Sequence, residues 1–368
     1  TFTNKAAEEM KERVMSLLGT SQGRYVWMGT FHSIFSKILR IESAYLGYTN
    51  NFTIYDTDDS KNLIKTIIKE KNLDVKTYKP TIVQNAISGA KSSLILPEEY
   101  CNNSLIQEEN RAKQMGELGQ IYRAYNHRLK QADAMDFDDL LVNMYILLRD
   151  FPEILFKYQH RFRYILIDEY QDTNHVQYMI IKKLAAAYEN ICVVGDDAQS
   201  IYSFRGANIE NILSFKDDYP SFEIFKLEQN YRSTKLILEA ANAVIQNNKY
   251  RKPKNLWTEN GAGEKIPVFR ALTGFYEATK IVNESAELKR EGFSYNDIAL
   301  LYRINAQSRI LEEGFVRAGI PYVIVGGLKF YDRLEIKNIL AYLRLIYNPK
   351  DNMSLKRIIN VPRRGIGL

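Results

Sequence analysis

Apolar positions recur at helical spacing over residues 3–18, where Ala6, Ala7, Met10, Val14 and Leu17 share one face. Tyr25-Val26-Trp27-Met28-Gly29-Thr30 reads as a short strand entering a turn, and residues 31–46 are again helical. From Asp56 to about Asp133 one helical pattern follows another, rich in Lys, Glu and Asn and without a strand signal. This stretch is expected to be a helical insertion. Asp138-Asp139-Leu140-Leu141 opens the next helix. The pattern then changes. Tyr164-Ile165-Leu166-Ile167 is a continuous apolar run ending at Asp168-Glu169, and Ile191-Cys192-Val193-Val194 is another, ending at Gly195-Asp196. Phe222–Phe225, Ile298–Leu301 and Tyr322–Val325 complete the set, with helical stretches between most of them. Short apolar runs alternating with helices predict parallel strands covered on both faces. Their polar ends fall where open α/β sheets bind ligands.

The 368 residues are enough for two or more domains, since one domain holds roughly 100–200 residues. No apolar run reaches the roughly 18 residues of a membrane span, and no secretory leader opens the chain. Neither end reads as a natural terminus. Cys101 and Cys192 make no CxxC, which excludes a disulfide scaffold and fits a reducing cytoplasm. His32, His127, His160 and His175 lack metal-ligand spacing. The net charge of +6 is compatible with a polyanion but equally with any mildly basic soluble protein. Residues 247–254 read as a basic loop.

Three elements carry chemistry. Asp168-Glu169 at a strand end can hold Mg²⁺ and orient an attacking water during phosphoryl transfer. Alone, such acids more often cap the next helix. Gln199, in Gly195-Asp196-Asp197-Ala198-Gln199-Ser200-Ile201-Tyr202, can sense a terminal phosphate without adding charge. Tyr202, Phe204 and Arg205 alternate rings with a cation, which suits single-stranded nucleic acid. The plainer reading is a surface turn with core aromatics. Gln229-Asn230-Tyr231-Arg232-Ser233-Thr234 leads into a helix; Arg232 can stabilise phosphoryl charge and Tyr231 can stack on a purine. A helix start capped by Ser233 is the plainer account, and it leaves the Tyr-Arg pair unexplained.

Asp168-Glu169-Tyr170-Gln171-Asp172, the Gly195–Tyr202 segment and Gln229–Ser233 resemble motifs of the UvrD/PcrA/Rep family of superfamily 1 DNA helicases, in the family's order. Thr1–Ala7, Gly29–Ser33, Asp136–Leu140, Leu301–Arg309, Gly326–Tyr331 and Arg364–Gly367 fit further segments of that family. The resemblance implies an α/β fold of P-loop NTPase-type (RecA-like) parallel-sheet motor domains with helical insertions, incomplete at both ends. It places a first motor domain at 1–55 and 133–222, a helical insertion at 56–132, part of a second motor domain at 223–328, and a second insertion from 329–368.

It also implies ATP and Mg²⁺ as cofactors. Asp168 would hold the metal, Glu169 would activate water, Gln199 and Arg232 would meet the γ-phosphate, and Tyr231 would stack on adenine. Phe2, Thr30, His32, Phe137, Tyr202, Phe204, Arg205 and Asn305 would line the path of a single strand. Arg364, Gly365 and Gly367 would touch duplex. Phe204 replaces a tryptophan frequent among relatives, and Ala198 replaces an acid. The implied partners are single-stranded DNA and single-strand/duplex junctions, with repair or replication proteins and no membrane. The implied setting is the bacterial cytoplasm beside the nucleoid.

No G-x-x-x-x-G-K-[ST] occurs; Gly261-Ala262-Gly263-Glu264-Lys265 has the wrong spacing and precedes a short strand, so it reads as a loop. Residues 1–368 alone are therefore expected to bind ATP weakly and not to turn it over. Two alternatives stay open: a nucleic-acid-binding protein with a non-functional motor, and the helicase part of a helicase-nuclease.

Overall fold

A computed structural model describes residues 1–248, 253–325 and 333–366. Residues 249–252 of the basic loop, the 326–331 segment and Gly367 lie outside the described residues. The chain forms two compact units: residues 1–226, 248–254 and 338–368, and residues 227–247 and 255–337.

In the first unit, α1 (Asn4–Gly23) starts at Thr3, whose hydroxyl accepts from the Ala6 N–H, and kinks at Gly19, where φ is +75°. α2 (Phe31–Ile41) buries Phe35, Ile38 and Leu39. β1 (Thr53–Tyr55) precedes the helical stretch α3 (Thr57–Glu70), α4 (Pro80–Ser92), α5 (Pro97–Asn102), α6 (Ser104–Ala112) and α7 (Leu118–Gln131). Its core is built from Leu63, Ile64, Ile67, Val83, Ile87, Ile121 and Tyr125. The chain returns through β2 (Ala134–Asp136), parallel to β1 with Thr53 opposite Ala134.

α8 (Phe137–Asp150) opens with a capping box between Asp136 and Asp139. With α9 (Pro152–Arg161) it encloses a second core that joins Leu39, Leu140, Met144, Leu147, Tyr158 and Ile180. β3 (Ile165–Ile167) and β4 (Ile191–Val193) pair in parallel, with Ile165 opposite Ile191. The crossover between them is α10 (His175–Ala185), capped by Asn174 and Gln177. The short helices α11 (Glu210–Leu213) and α12 (Phe215–Asp218) follow.

The second unit carries α13 (Lys235–Ile245), α14 (Gly274–Arg290) and α15 (Ser308–Ala318); the last two share the apolar centre of Val282, Phe315 and Ile320. α16 (Leu334–Tyr347) and α17 (Asn352–Ile358) come last. Residues 338–366 are tied to the first unit by buried polar contacts. Arg344 meets Asp59 at 2.7 Å, the Tyr55 hydroxyl donates to Asp351 at 2.8 Å, and the Asn348 amide donates to Thr53, Ala132 and Asp133 oxygens at 3.0 Å each.

Two expectations need correction. The runs at 25–30, 222–225, 298–301 and 322–325 form no ladder among the described residues. An apolar run becomes a strand only where a neighbouring segment presents matching N–H and C=O groups, and of the six predicted runs only those at 164–167 and 191–194 find each other, through 165–167 and 191–193. The β3–β4 sheet is also not covered on both faces. Ile167 is buried, whereas Leu166, pointing the other way, is 76% exposed. No helix among the described residues is long and apolar enough to cross a membrane.

Candidate nucleotide and nucleic-acid site

Alternation along β3 sends Ile167 into the core and delivers Asp168, half-buried, to the strand end. Glu169 follows in the left-handed region at φ +56°, a conformation that a non-glycine residue holds only under constraint. The constraints are visible. Asp168 Oδ1 accepts from the Glu169 N–H at 3.0 Å, and the Tyr170 N–H donates to the Val194 carbonyl at 3.0 Å. Neither acid caps a helix: α10 is capped by Asn174, and the short 3₁₀ turn Tyr170–Asp172 has no side-chain cap. The plainer role for these acids is therefore absent. A half-buried and an exposed carboxylate side by side at a strand end suit a divalent cation that keeps most of its waters and takes one or two protein oxygens. Asp168, half-buried at the strand end, could supply one such oxygen. Among the described residues no cluster of three or more His, Cys, Asp or Glu could hold a metal by itself.

The end of β4 lies beside this pair. Asp196 Oδ1 accepts from the Ala198 N–H at 2.9 Å and Oδ2 from the Gln199 amide at 2.9 Å. Lys254 pairs with Asp196 and, at 3.4 Å, with Asp197. Burial pushes the Asp196 carboxyl up, but hydrogen bonds and charge from Lys254 and Gln199 outweigh it and hold the group below the usual carboxylate range. Gln199, exposed, is thus anchored through its nitrogen.

The residues just beyond form a row of rings. Phe2 and Tyr202 stack with centroids 6.3 Å apart, and Tyr202 and Phe204 follow at 6.1 Å. Arg205 lies over both, 5.2 Å from the Tyr202 centroid and 5.5 Å from that of Phe204. Phe204 is 75% exposed, so the core-aromatic reading fails for it. His32 meets Phe137 edge-on at 6.0 Å. Burial lowers the His32 pKa, favouring the neutral ring. Thr30 is buried, and its Oγ1 accepts from the Ser33 N–H as the α2 cap.

In the second unit, Tyr231 and Arg232 sit on a braced turn. Asn230 Oδ1 accepts the N–H groups of Arg232 at 2.9 Å and Ser233 at 2.8 Å, and the Asn230 N–H donates to the Trp257 carbonyl at 2.7 Å. The N-cap position of α13 is Thr234 rather than Ser233, and the Thr234 side chain makes no capping hydrogen bond. Tyr231 is 79% exposed, with its hydroxyl on Gln229. The phosphate-loop lookalike is part of the same brace. The Gly261 and Ala262 carbonyls accept the Lys235 and Leu236 N–H groups at 3.1 Å each. That loop presents acceptors to a helix start, the wrong polarity for a phosphate cradle, and it precedes no strand. Asn305, exposed, opens a 3₁₀ turn (Asn305–Gln307).

Arg364 is engaged within its own segment, donating to the Ile358 carbonyl at 2.7 Å and the Ile359 carbonyl at 3.1 Å, and to the Tyr342 hydroxyl. Gly365, at φ +70°, completes that turn.

Sequence reasoning missed three side chains. Gln171 joins the two strand ends, Lys254 neutralises Asp196, and Lys91 lies buried between Asp136 and Asp139. Asp136 and Asp139 were visible as a helix start, but nothing 45 residues upstream marked their counter-ion.

Paired acids and an amide stand at neighbouring strand ends beside a row of rings, the combination expected of a helicase motor domain. Residues 1–220 match the UvrD/REP helicase N-terminal domain and residues 225–368 the UvrD-like helicase C-terminal domain, so the chain belongs to the UvrD/REP helicase family. It is similar to proteins described as ATP-dependent DNA helicase PcrA from Staphylococcus aureus (strain NCTC 8325 / PS 47) and Staphylococcus epidermidis (strain ATCC 12228 / FDA PCI 1200). Each is 50% identical over 367 residues, which is 100% of this chain and 49% of the relative. The chain thus spans about half the length of the curated relatives it matches.

Proposed function

We propose that this chain belongs to an ATP-dependent 3′-to-5′ DNA helicase, a translocase on single-stranded DNA with RecA-like P-loop NTPase motor domains. One observation carries the reading: the Asp168-Glu169 strand end is hydrogen-bonded, through Gln171 and Asp196, to the Gln199 segment that leads into the Tyr202–Arg205 row. Nucleotide chemistry and strand grip share one continuous piece of chain.

In this mechanism Glu169 takes the proton from the attacking water, and Gln199 hydrogen-bonds the terminal phosphate. Arg232 stabilises charge on the transferring group, and Tyr231 stacks on adenine. Asp168 would hold Mg²⁺, which would supply neutralisation of developing phosphate charge. Phe2, Tyr202 and Phe204 stack on bases, Arg205 meets the backbone, and His32, Phe137, Thr30 and Asn305 extend the path. The Arg364–Gly365 turn contacts duplex at the junction. The proposed setting is DNA repair or replication in the bacterial cytoplasm. The test is strand displacement by the full-length protein on duplexes with a 3′ or a 5′ single-stranded tail. Unwinding of the 3′-tailed substrate alone is expected. Preference for the 5′ tail, or none with either, contradicts the proposal.

A further inference from the structure

Gln171 is 1% exposed, and both ends of its amide are used. Nε2 donates to Glu169 Oε2 at 2.7 Å. Oε1 accepts from the Asp196 N–H at 3.0 Å. Its backbone carbonyl accepts from the Ser200 hydroxyl at 3.4 Å. Gly195 makes room for this bridge: a Cβ there would lie 2.6 Å from Gln171 Oε1 and 3.3 Å from its backbone nitrogen. The two strand ends are therefore fastened by a side chain rather than by packing alone.

The direction of the two bonds matters. A carboxylate only accepts, and a backbone N–H only donates, so the residue between Glu169 and Asp196 must donate at one end and accept at the other. Glutamine at this length does both. Glutamate would accept at both ends and methionine would do neither.

We propose that Gln171 is a positioning residue for water activation: it fixes the Glu169 carboxylate and links it to the Gly195–Arg205 segment that carries Gln199 and the ring row. This rests on the reading of Glu169 as the group that activates water. The donated hydrogen bond aims one oxygen of a residue whose backbone is already held at positive φ. Movement of the ring row on binding a strand reaches Asp196 first, then Gln171, then Glu169. Stimulation of hydrolysis by DNA thereby has a route made of three named contacts.

The test is steady-state ATP hydrolysis by the full-length protein with and without oligo-dT, for Gln171→Met, Gln171→Glu and Glu169→Gln. Misplacing a catalytic group by about 1 Å costs on the order of 100-fold. Gln171→Met is expected to lose about that much in DNA-stimulated kcat, with the KM for ATP and the oligo-dT Kd changed by less than about threefold. Adding Gln171→Met to Glu169→Gln should lower its residual rate no further, because the two act as one unit. Gln171→Glu, which puts an acceptor where a donor is needed, should lose as much as Gln171→Met. A purely structural glutamine would not lower kcat while sparing both the KM for ATP and the oligo-dT Kd. Wild-type kcat in both Gln171 variants, or losses that multiply with Glu169→Gln, overturns the inference. Wild-type hydrolysis by Glu169→Gln instead overturns the reading of Glu169 on which it stands.

Discussion

Tyr202 lies between two other rings, stacked on Phe2 at 6.3 Å with an interplanar angle of 15° and tilted against Phe204 at 6.1 Å. Stacking of a base on an aromatic side chain contributes about 1–3 kcal/mol per base, largely independent of sequence. Tyr202→Ala should therefore weaken oligo-dT binding by roughly 5- to 150-fold, the range equivalent to those energies. Phe204→Trp should strengthen it through the larger ring. Fluorescence anisotropy with a labelled oligonucleotide at fixed salt reads both. Unchanged affinity in Tyr202→Ala would remove the row from the strand path.

Lys91 is 1% exposed and meets Asp136 and Asp139 at 2.7 Å each. Burial works to discharge it, yet the two carboxylates hold its pKa well above the ordinary lysine value. Removing one partner of a buried ion cluster strands the others and costs about 3–5 kcal/mol. Lys91→Met should lower the stability of the first unit by that amount in urea unfolding. A loss below about 1 kcal/mol would show that the cluster is solvated.

One lysine cannot neutralise two buried carboxylates. Burial pushes Asp136 up, but Lys91 and the Tyr125 hydroxyl outweigh it and hold it below the usual range. Burial and then Asp136 push Asp139 up to about 7. Asp138 rises to about 6 for the same reasons. A carboxyl whose folded pKa is raised stabilises the fold below its unfolded value of about 3.9, and that stability is lost as pH climbs through the folded value. For Asp139 the window runs from about 4 to about 7. Asp139→Asn keeps the helix cap and removes the titration, so its stability should fall less over that window than the wild-type's does. Parallel profiles from thermal melts would refute the assignment.

What was legible in the sequence follows from length scale. Asp168, Glu169, Gln199, Tyr202 and Arg205 could be marked because each sits in a short run where an apolar strand ends in polar groups. β1 and β2 were not visible, because three residues are too few for a periodic signal. Leu166 looked buried for the same reason: a four-residue apolar run does not say which face is covered. Lys91 sits in a Lys-rich helical stretch where a lysine ordinarily faces water. Lys254 stands 58 residues from Asp196, and only folding brings the charges together.

The central claim is that the acids at the end of β3 hydrolyse ATP in response to single-stranded DNA. The most direct measurement is the ATP hydrolysis rate of the full-length protein carrying Glu169→Gln, with and without saturating oligo-dT. The account predicts that oligo-dT still binds within about threefold of wild type while the stimulated rate falls by about 10²–10⁴, the size of a lost general base. A stimulated rate equal to that of the wild type would contradict it.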